Sequence, residues 1–524
     1  MHLSSEVSNT TNKTLHNPKY YYRFDTILAG IFVIITALYI MLIFQDYVPS
    51  LGLIILGVLW LIYWAVSGRL SVASPLDFSL LLFLCLLPLN LAISVDWGLS
   101  LPKVYGLILS VALFFTIVNI IRNFSYLFWS IIALVILALS VVFSGWISLE
   151  YSNSGIEILN QIFNQFAKFK NFFSDLLNNE QINPNTIGGA LTFFPPLLLS
   201  LIWDGGAFKR TFLQQKKAAN GLFIVYKFIL VLVFLLVSIT LFFTMSTAAI
   251  LGAFLGILAL MIWKNHHYTW LIPVLVIAAG GYLYYVSNGN FEEYFTLLLT
   301  AEHDSILSRV DAWQSVITMI QDFPLTGTGI GTYSQLYDKF YITHLSSSWG
   351  YTQLHAHNTF LSIAIDIGLP GLVLYTSLLS SCFFMVIKTL RRVRSITKFL
   401  LMGLSCGLLA HQIFGIVDAF LLGTKLGFIQ WIFIGLIAGI FTHKKAFRNE
   451  NHPQQLKKPD WKQTKRWLKS FLISLGWWML FSLASLAPIN YAPLASVMIA
   501  VLGGIIMGYI LTSRFNKRGA LKEI

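Results

Sequence analysis

The sequence predicts an all-α, polytopic transmembrane protein, and three observations carry that prediction. Charged residues make up 11% of the 524-residue chain against 56% hydrophobic, and the mean hydropathy is +0.73, whereas soluble domains hold about a quarter charged residues. The apolar residues are gathered into runs long enough to cross a bilayer, which takes about 20 residues as helix. Many aromatic residues, including Trp97, Trp146, Tyr151, Trp263 and Trp270, stand at the ends of those runs, where amphipathic rings favour the headgroup layer.

Residues 1–24 form a polar tail without the short apolar core behind a charged start that marks a cleaved signal, so the first span is expected to be retained. About 14 spans follow, beginning near Asp25, Leu51, Asp77, Lys103, Tyr126, Ile187, Leu222, Thr247, Thr269, Asn358, Phe399, Leu426, Phe471 and Leu494. Pro195 and Pro196 interrupt the sixth and Gly368 to Gly371 the tenth. Breaks inside spans are tolerated where neighbouring helices or water satisfy the freed backbone groups, and so tend to mark cavities.

Orientation follows from the basic residues. With the N-terminus cytoplasmic and loops alternating, 28 of the 35 Lys and Arg fall in cytoplasmic segments, and Lys227 lies just inside a span. Only Lys103, Lys168, Lys170, Arg309, Lys339 and Lys425 are exterior. That bias predicts both termini inside. The same scatter over short loops explains the net charge of +13 without nucleic acid as a partner. Cys85, Cys382 and Cys406 lie in or beside apolar runs and read as small core residues, with neither a disulfide framework nor a metal site.

The organisation that results is a cytoplasmic tail, a main membrane domain at 25–442, a basic linker at 443–470, two further spans at 471–512 and a tail at 513–524. Two exterior loops are long, 146–186 and 287–357. In the first, Ile156, Leu159, Phe163, Phe166 and Phe173 recur near helical spacing, suiting a helix flat on the membrane surface or a lid over the exterior mouth. The linker, with Pro453 and Pro459, reads as flexible and attracted to anionic lipid.

The second exterior loop holds the candidate chemistry. His355 and His357 stand immediately before a span, and ionisable groups at such a mouth are costly unless they face a cavity or partner. Alternatively, one histidine supports the helix start, for which Asn358 is already suited. No HExxH motif and no cysteine or carboxylate stands near them in sequence, so metal ligation is not expected. Arg309 either pairs with Glu302, Asp304 or Asp311, or clamps a phosphate through its planar, permanently charged guanidinium. Gly327, Gly329 and Gly331 either cradle phosphate or form a tight turn that lets Tyr333 and the helix around 312–320 approach the histidines.

These residues occur in a familiar order. SRVDAWQSVITMIQDFPLTGTGIGTY, followed by HAHNTFLSIAIDIGLPGL, resembles the signature of the O-antigen ligase and O-antigen polymerase superfamily, with echoes in NPNTIGGALTFFPPLLL and HQIFGIVDAFLLGTKLGFIQW, so that about residues 180 to 442 are covered. The resemblance implies a glycosyltransferase that moves a glycan from a polyprenyl (undecaprenyl) diphosphate carrier to an acceptor hydroxyl on a glycan, lipid or protein, without metal or other cofactor. The reaction would take place at the exterior face of the bacterial cytoplasmic membrane. Carried onto this chain, His357 would be the general base and Arg309 would stabilise the departing diphosphate. His355, Asn358 and Tyr333 would bind substrate or orient the base. The family's arginine near the start of a span before the large loop is replaced by Ser246 and Thr247, leaving Lys425 as a candidate second clamp. A rival reading, transport of a small anion or solute, would need ionisable groups near the midplane, for which Asp366 and His411 are the candidates.

Overall fold

The computed structural model describes residues 71–121, 124–148, 183–213, 219–287, 289–290, 304–342, 355–393, 396–419, 423–424, 426–444, 447 and 461–520, together with Val58 and Leu61. Among these residues there is no β-strand. The order is α1 (Asp77–Ile93), α2 (Trp97–Ile120), α3 (Phe124–Ser148), α4 (Pro184–Leu191), α5 (Phe194–Ile202), α6 (Ala219–Phe243), α7 (Thr247–Lys264), α8 (Leu271–Val286), α9 (Asp304–Asp322), α10 (Tyr333–Leu336), α11 (Thr359–Leu390), α12 (Ile396–Val417), α13 (Phe428–Thr442), α14 (Trp461–Leu486) and α15 (Pro493–Ala520). Helices that bond every backbone group internally are what a lipid environment permits. Ten helical stretches are long and apolar enough to cross a membrane, and α1 and α13 are shorter apolar helices.

Apart from Val58 and Leu61, the first two expected spans lie outside the described residues, as do the stretch 156–173 and most of the basic linker. The linker's end differs from expectation, because α14 already begins at Trp461. Lys and Arg are good helix formers, so the basic stretch continues the span's helix instead of interrupting it. Cys85 is exposed, while Cys382 and Cys406 are buried as expected; on a bilayer-embedded helix, an exposed apolar position faces lipid.

α11 is the axis of the core, with most of its residues buried. α15 packs along it through Gly504 and Gly508. A side chain at Gly508 would sit 2.8 Å from Ser377 O and 2.9 Å from Ser381 N, so only glycine allows this approach. Ser380 Oγ donates to Gly504 O and Ser381 Oγ to Gly508 O, each at 3.3 Å, and Lys388 Nζ reaches Ser513 Oγ at 3.0 Å. The two C-terminal spans are therefore part of the core. Elsewhere, Lys227 Nζ ties α6 to the end of α5, reaching Asp204 Oδ1 at 2.6 Å and the carbonyls of Leu201 and Ile202 at 2.9 and 2.6 Å.

The break in α11 at Gly368 (φ 80°, ψ 174°) is filled by protein. Leu369 N donates to Pro324 O at 2.8 Å, while Ile365 O and Asp366 O accept from Thr328 N and Gly329 N at 2.8 and 3.2 Å. Pro370 O accepts from Trp478 Nε1 of α14 at 3.1 Å. Backbone groups freed by the break are thus satisfied by the turn after α9 and by the C-terminal hairpin.

Candidate functional site: a histidine pair on one carboxylate

Asn358 starts α11 as its N-cap, the role for which its short amide suits it, accepting from Phe360 N at 2.9 Å and Leu361 N at 3.0 Å. Its Nδ2 donates to Ile416 O at 2.8 Å, which pins the start of α11 to the end of α12. Immediately before it, His357 takes a left-handed backbone (φ 46°), a conformation costing on the order of 1–3 kcal/mol in a non-glycine residue. That turn brings the His357 ring back over His355, with centroids 4.2 Å apart and planes tilted by 39°.

Both rings face Asp418, the first residue beyond α12. His355 Nε2 lies 3.1 Å from Asp418 Oδ1 and His357 Nδ1 lies 3.4 Å from the same oxygen. Ala419 N also donates to Oδ1, at 2.8 Å. The Asp418 side chain is 3% exposed and each histidine 21%, so the carboxylate forms the floor and the rings are open on one side. Burial acts to raise the Asp418 pKa, but the His355 hydrogen bond and the adjacent His355 and His357 rings outweigh it and hold the carboxyl below the usual range. The group is an anion at any physiological pH.

A carboxylate on Nδ1 leaves the Nε2 of His357 as the free ring nitrogen, the arrangement in which an imidazole accepts a proton from a hydroxyl while the carboxylate stabilises the imidazolium formed. Asp418 was not singled out in the sequence. Its sequence signal is a lone acidic residue at the end of an apolar run, the end that the expected orientation puts on the same side as His355 and His357. The expectation of no metal rested partly on the lack of a carboxylate near the histidines, and the fold corrects that premise by bringing Asp418 to both rings.

The other expected site residues stand on other elements. Arg309 lies in the second turn of α9, half-buried. Two residues on, Asp311 accepts the Tyr337 hydroxyl at 2.5 Å. Tyr333 is buried, 5.8 Å from the Tyr337 ring between centroids, and its hydroxyl makes no hydrogen bond, which suits packing better than substrate contact. Lys425 lies outside the described residues.

The glycine turn is a lock and not a phosphate cradle. A cradle needs free amides, yet Thr328, Gly329, Ile330 and Gly331 each donate to a protein acceptor: Ile365 O, Asp366 O, Asn90 Oδ1 and Asp366 Oδ1. Gly327 also donates, to Phe323 O. The turn lets α9 approach the α11 break, where the sequence had suggested the histidine segment. Asp366 and His411 are likewise engaged structurally. Asp366 holds the glycine turn, and His411 Nδ1 donates to Gly189 O at 3.0 Å with its ring stacked on Phe193 at 4.1 Å.

Apolar helices and a span end lined by a histidine pair on a buried carboxylate define a polytopic membrane protein with acid–base equipment at one helix mouth. Residues 232–376 match the family model described as O-antigen ligase, a segment containing Arg309, the glycine turn, His355, His357 and Asn358. A 78-residue stretch is 35% identical to a Rickettsia bellii (strain RML369-C) protein named "Putative polysaccharide ligase". That stretch covers 14% of this chain and 19% of the relative, so the chain spans less than a fifth of that protein's length. The family suggested by the sequence motif is thus the one that the comparisons find.

Proposed function

We propose that this protein transfers a glycan from a polyprenyl diphosphate carrier to an acceptor hydroxyl at the exterior face of the cytoplasmic membrane, in assembly of a surface polysaccharide. The observation that carries the reading is the Asp418–His357 pairing within a chain matching the O-antigen ligase family. The acceptor hydroxyl gives its proton to His357 Nε2, its oxygen attacks the anomeric carbon, and the bond to the diphosphate breaks with the electron pair leaving on the diphosphate. A base of pKa near the working pH suits the first event, and a fixed cation suits the last. His357 is the base, Asp418 positions it, and Arg309 on α9 meets the diphosphate.

The test is glycan transfer in proteoliposomes with a polyprenyl diphosphate-linked oligosaccharide as donor, comparing wild type with His357→Ala. Donor consumption by wild type and its loss in the variant, at equal abundance, is the expected result. A ladder of products identifies a polymerase and a single addition a ligase. An unaltered rate in the variant overturns the assignment of the base, and no consumption across several donors makes solute flux the next assay.

A further inference from the structure

We infer that His355, His357 and Asp418 form a divalent metal site of the nitrogen–oxygen type, with Zn²⁺ the best-fitting ion, and that its occupancy switches the proposed base off. The three side chains place one donor atom each within 4.8 Å of one another. Two ligand atoms each about 2.1 Å from a tetrahedral ion are about 3.4 Å apart, and the nitrogen–oxygen separations from His355 and His357 to Asp418 Oδ1 are 3.1 and 3.4 Å. The donors are two imidazoles and a carboxylate, the set that zinc takes in open, three-ligand sites.

A second observation points to a ligand at this place. His357 Nδ1 and Asp418 Oδ2 are both buried and make no hydrogen bond within the protein, and an unsatisfied buried polar atom calls for a reason such as an ion. His357 also bears a left-handed backbone at the position that turns its Nδ1 toward the carboxylate. An ion bonded to Nδ1 and to the carboxylate satisfies these donors together. The open side of both rings gives it a path from the exterior.

The consequence for the reaction rests on the general-base reading above, whereas the site itself does not. An imidazole bound to metal through Nδ1 in its neutral form carries its proton on Nε2. That nitrogen is then a donor and cannot accept the acceptor's proton. Zn²⁺ therefore inhibits transfer, and removing it restores the base.

The test uses the full chain in nanodiscs, with Zn²⁺ titrated by calorimetry and Co²⁺ as a spectroscopic probe. One ion per chain is expected, with the visible absorption of tetrahedral Co²⁺. Affinity should fall on the order of 10- to 100-fold or more in Asp418→Asn and in His355→Ala. The exposed neighbouring rings of His266 and His267, 4.4 Å apart, are the control: His266→Ala with His267→Ala should leave binding unchanged. Octahedral Co²⁺, or equal Zn²⁺ affinity in wild type and Asp418→Asn, overturns the site. In the transfer assay, Zn²⁺ but not Mg²⁺ should inhibit, and a chelator should reverse the effect. Binding without any detectable transfer would retain the site and remove the catalytic reading, and uninhibited transfer by the zinc-bound protein would remove the switch.

Discussion

His357 Nδ1 stands 3.4 Å from Asp418 Oδ1, although the two residues belong to the ends of different helices, which Asn358 and Thr359 tie together through Ile416 O and Asp418 O. In the proposed mechanism this contact orients His357 as the base. His357→Ala should lower transfer by roughly 10²- to 10⁴-fold, the span general base catalysis supplies. Asp418→Asn should lower the turnover number while leaving donor KM close to wild type, because in the proposed mechanism Asp418 acts only through the base. Initial rates in proteoliposomes check both.

Arg309 is proposed to meet the diphosphate, and lysine does not reproduce a guanidinium's planar, forked donation. Arg309→Lys should therefore retain only part of the activity and Arg309→Ala should lose most of it. The expected pattern is a raised donor KM together with a lowered turnover number, read against donor concentration. A wild-type profile in Arg309→Ala would remove this residue from the mechanism.

The glycine lock predicts a stability effect independent of any activity. Gly327 has φ 67°, and a side chain there would come within 2.6 Å of the Asp366 carbonyl group. Gly327→Ala should destabilise the protein by about 1–3 kcal/mol or more, from the left-handed backbone and the clash together. Thermal unfolding in detergent reads this as a lowered midpoint. Gly221, with open space around it, is the matched control, and Gly221→Ala should leave the midpoint close to wild type.

The C-terminal hairpin should be indispensable for folding. Gly508→Val would push a branched side chain into Ser377, Ser380 and Ser381 of α11, and overpacking of a close crossing costs about 1–3 kcal/mol or more. Removing residues 461–524 would also strip Trp478 from the Pro370 carbonyl. Loss of monodisperse protein on size-exclusion chromatography is expected for the truncation, and a lowered unfolding midpoint for the point variant.

Asp96 gives a pH dependence. It caps α2 through Gly98 N and Leu99 N, at 2.8 and 3.3 Å, and accepts from Gln335 Nε2 of α10 at 2.7 Å. The Gln335 bond first, then the cap, holds its pKa below the usual carboxylate value. A folded pKa below the unfolded one means that the contribution is complete above the unfolded value of about 3.9 and lost as pH falls through the folded value. Amide exchange at Gly98 and Leu99 should hence stay slow from pH 7 to about 5, after correction for the intrinsic rate, and lose protection only in stronger acid. Asp96→Asn should remove that acid-side step.

Much of the fold was legible because a bilayer leaves few options. A run of about 20 apolar residues has no acceptable state in lipid other than helix, so the apolar runs from Asp77 onward could be placed, and each falls on an apolar helix. His355, His357 and Asn358 were legible for a similar reason, since polar groups at a span's mouth stand out against it. What composition and spacing could not supply was contact between distant segments. The glycine turn reads equally as cradle or lock until its amides are seen bonded to Ile365, Asp366 and Asn90. The hairpin after Trp461 looks appended until Gly504 and Gly508 are seen against α11.

The sequence by itself determined the membrane class, the helical architecture and the histidine motif, because each is a property of local composition and short spacing. Tertiary structure alone decided that Asp418 is the histidines' partner, that the glycine turn seals the break in α11, and that the C-terminal spans complete the core. Those outcomes depend on which surfaces meet across the bundle, and complementary packing between distant helices is written in shapes and distances that a linear order of residues does not display.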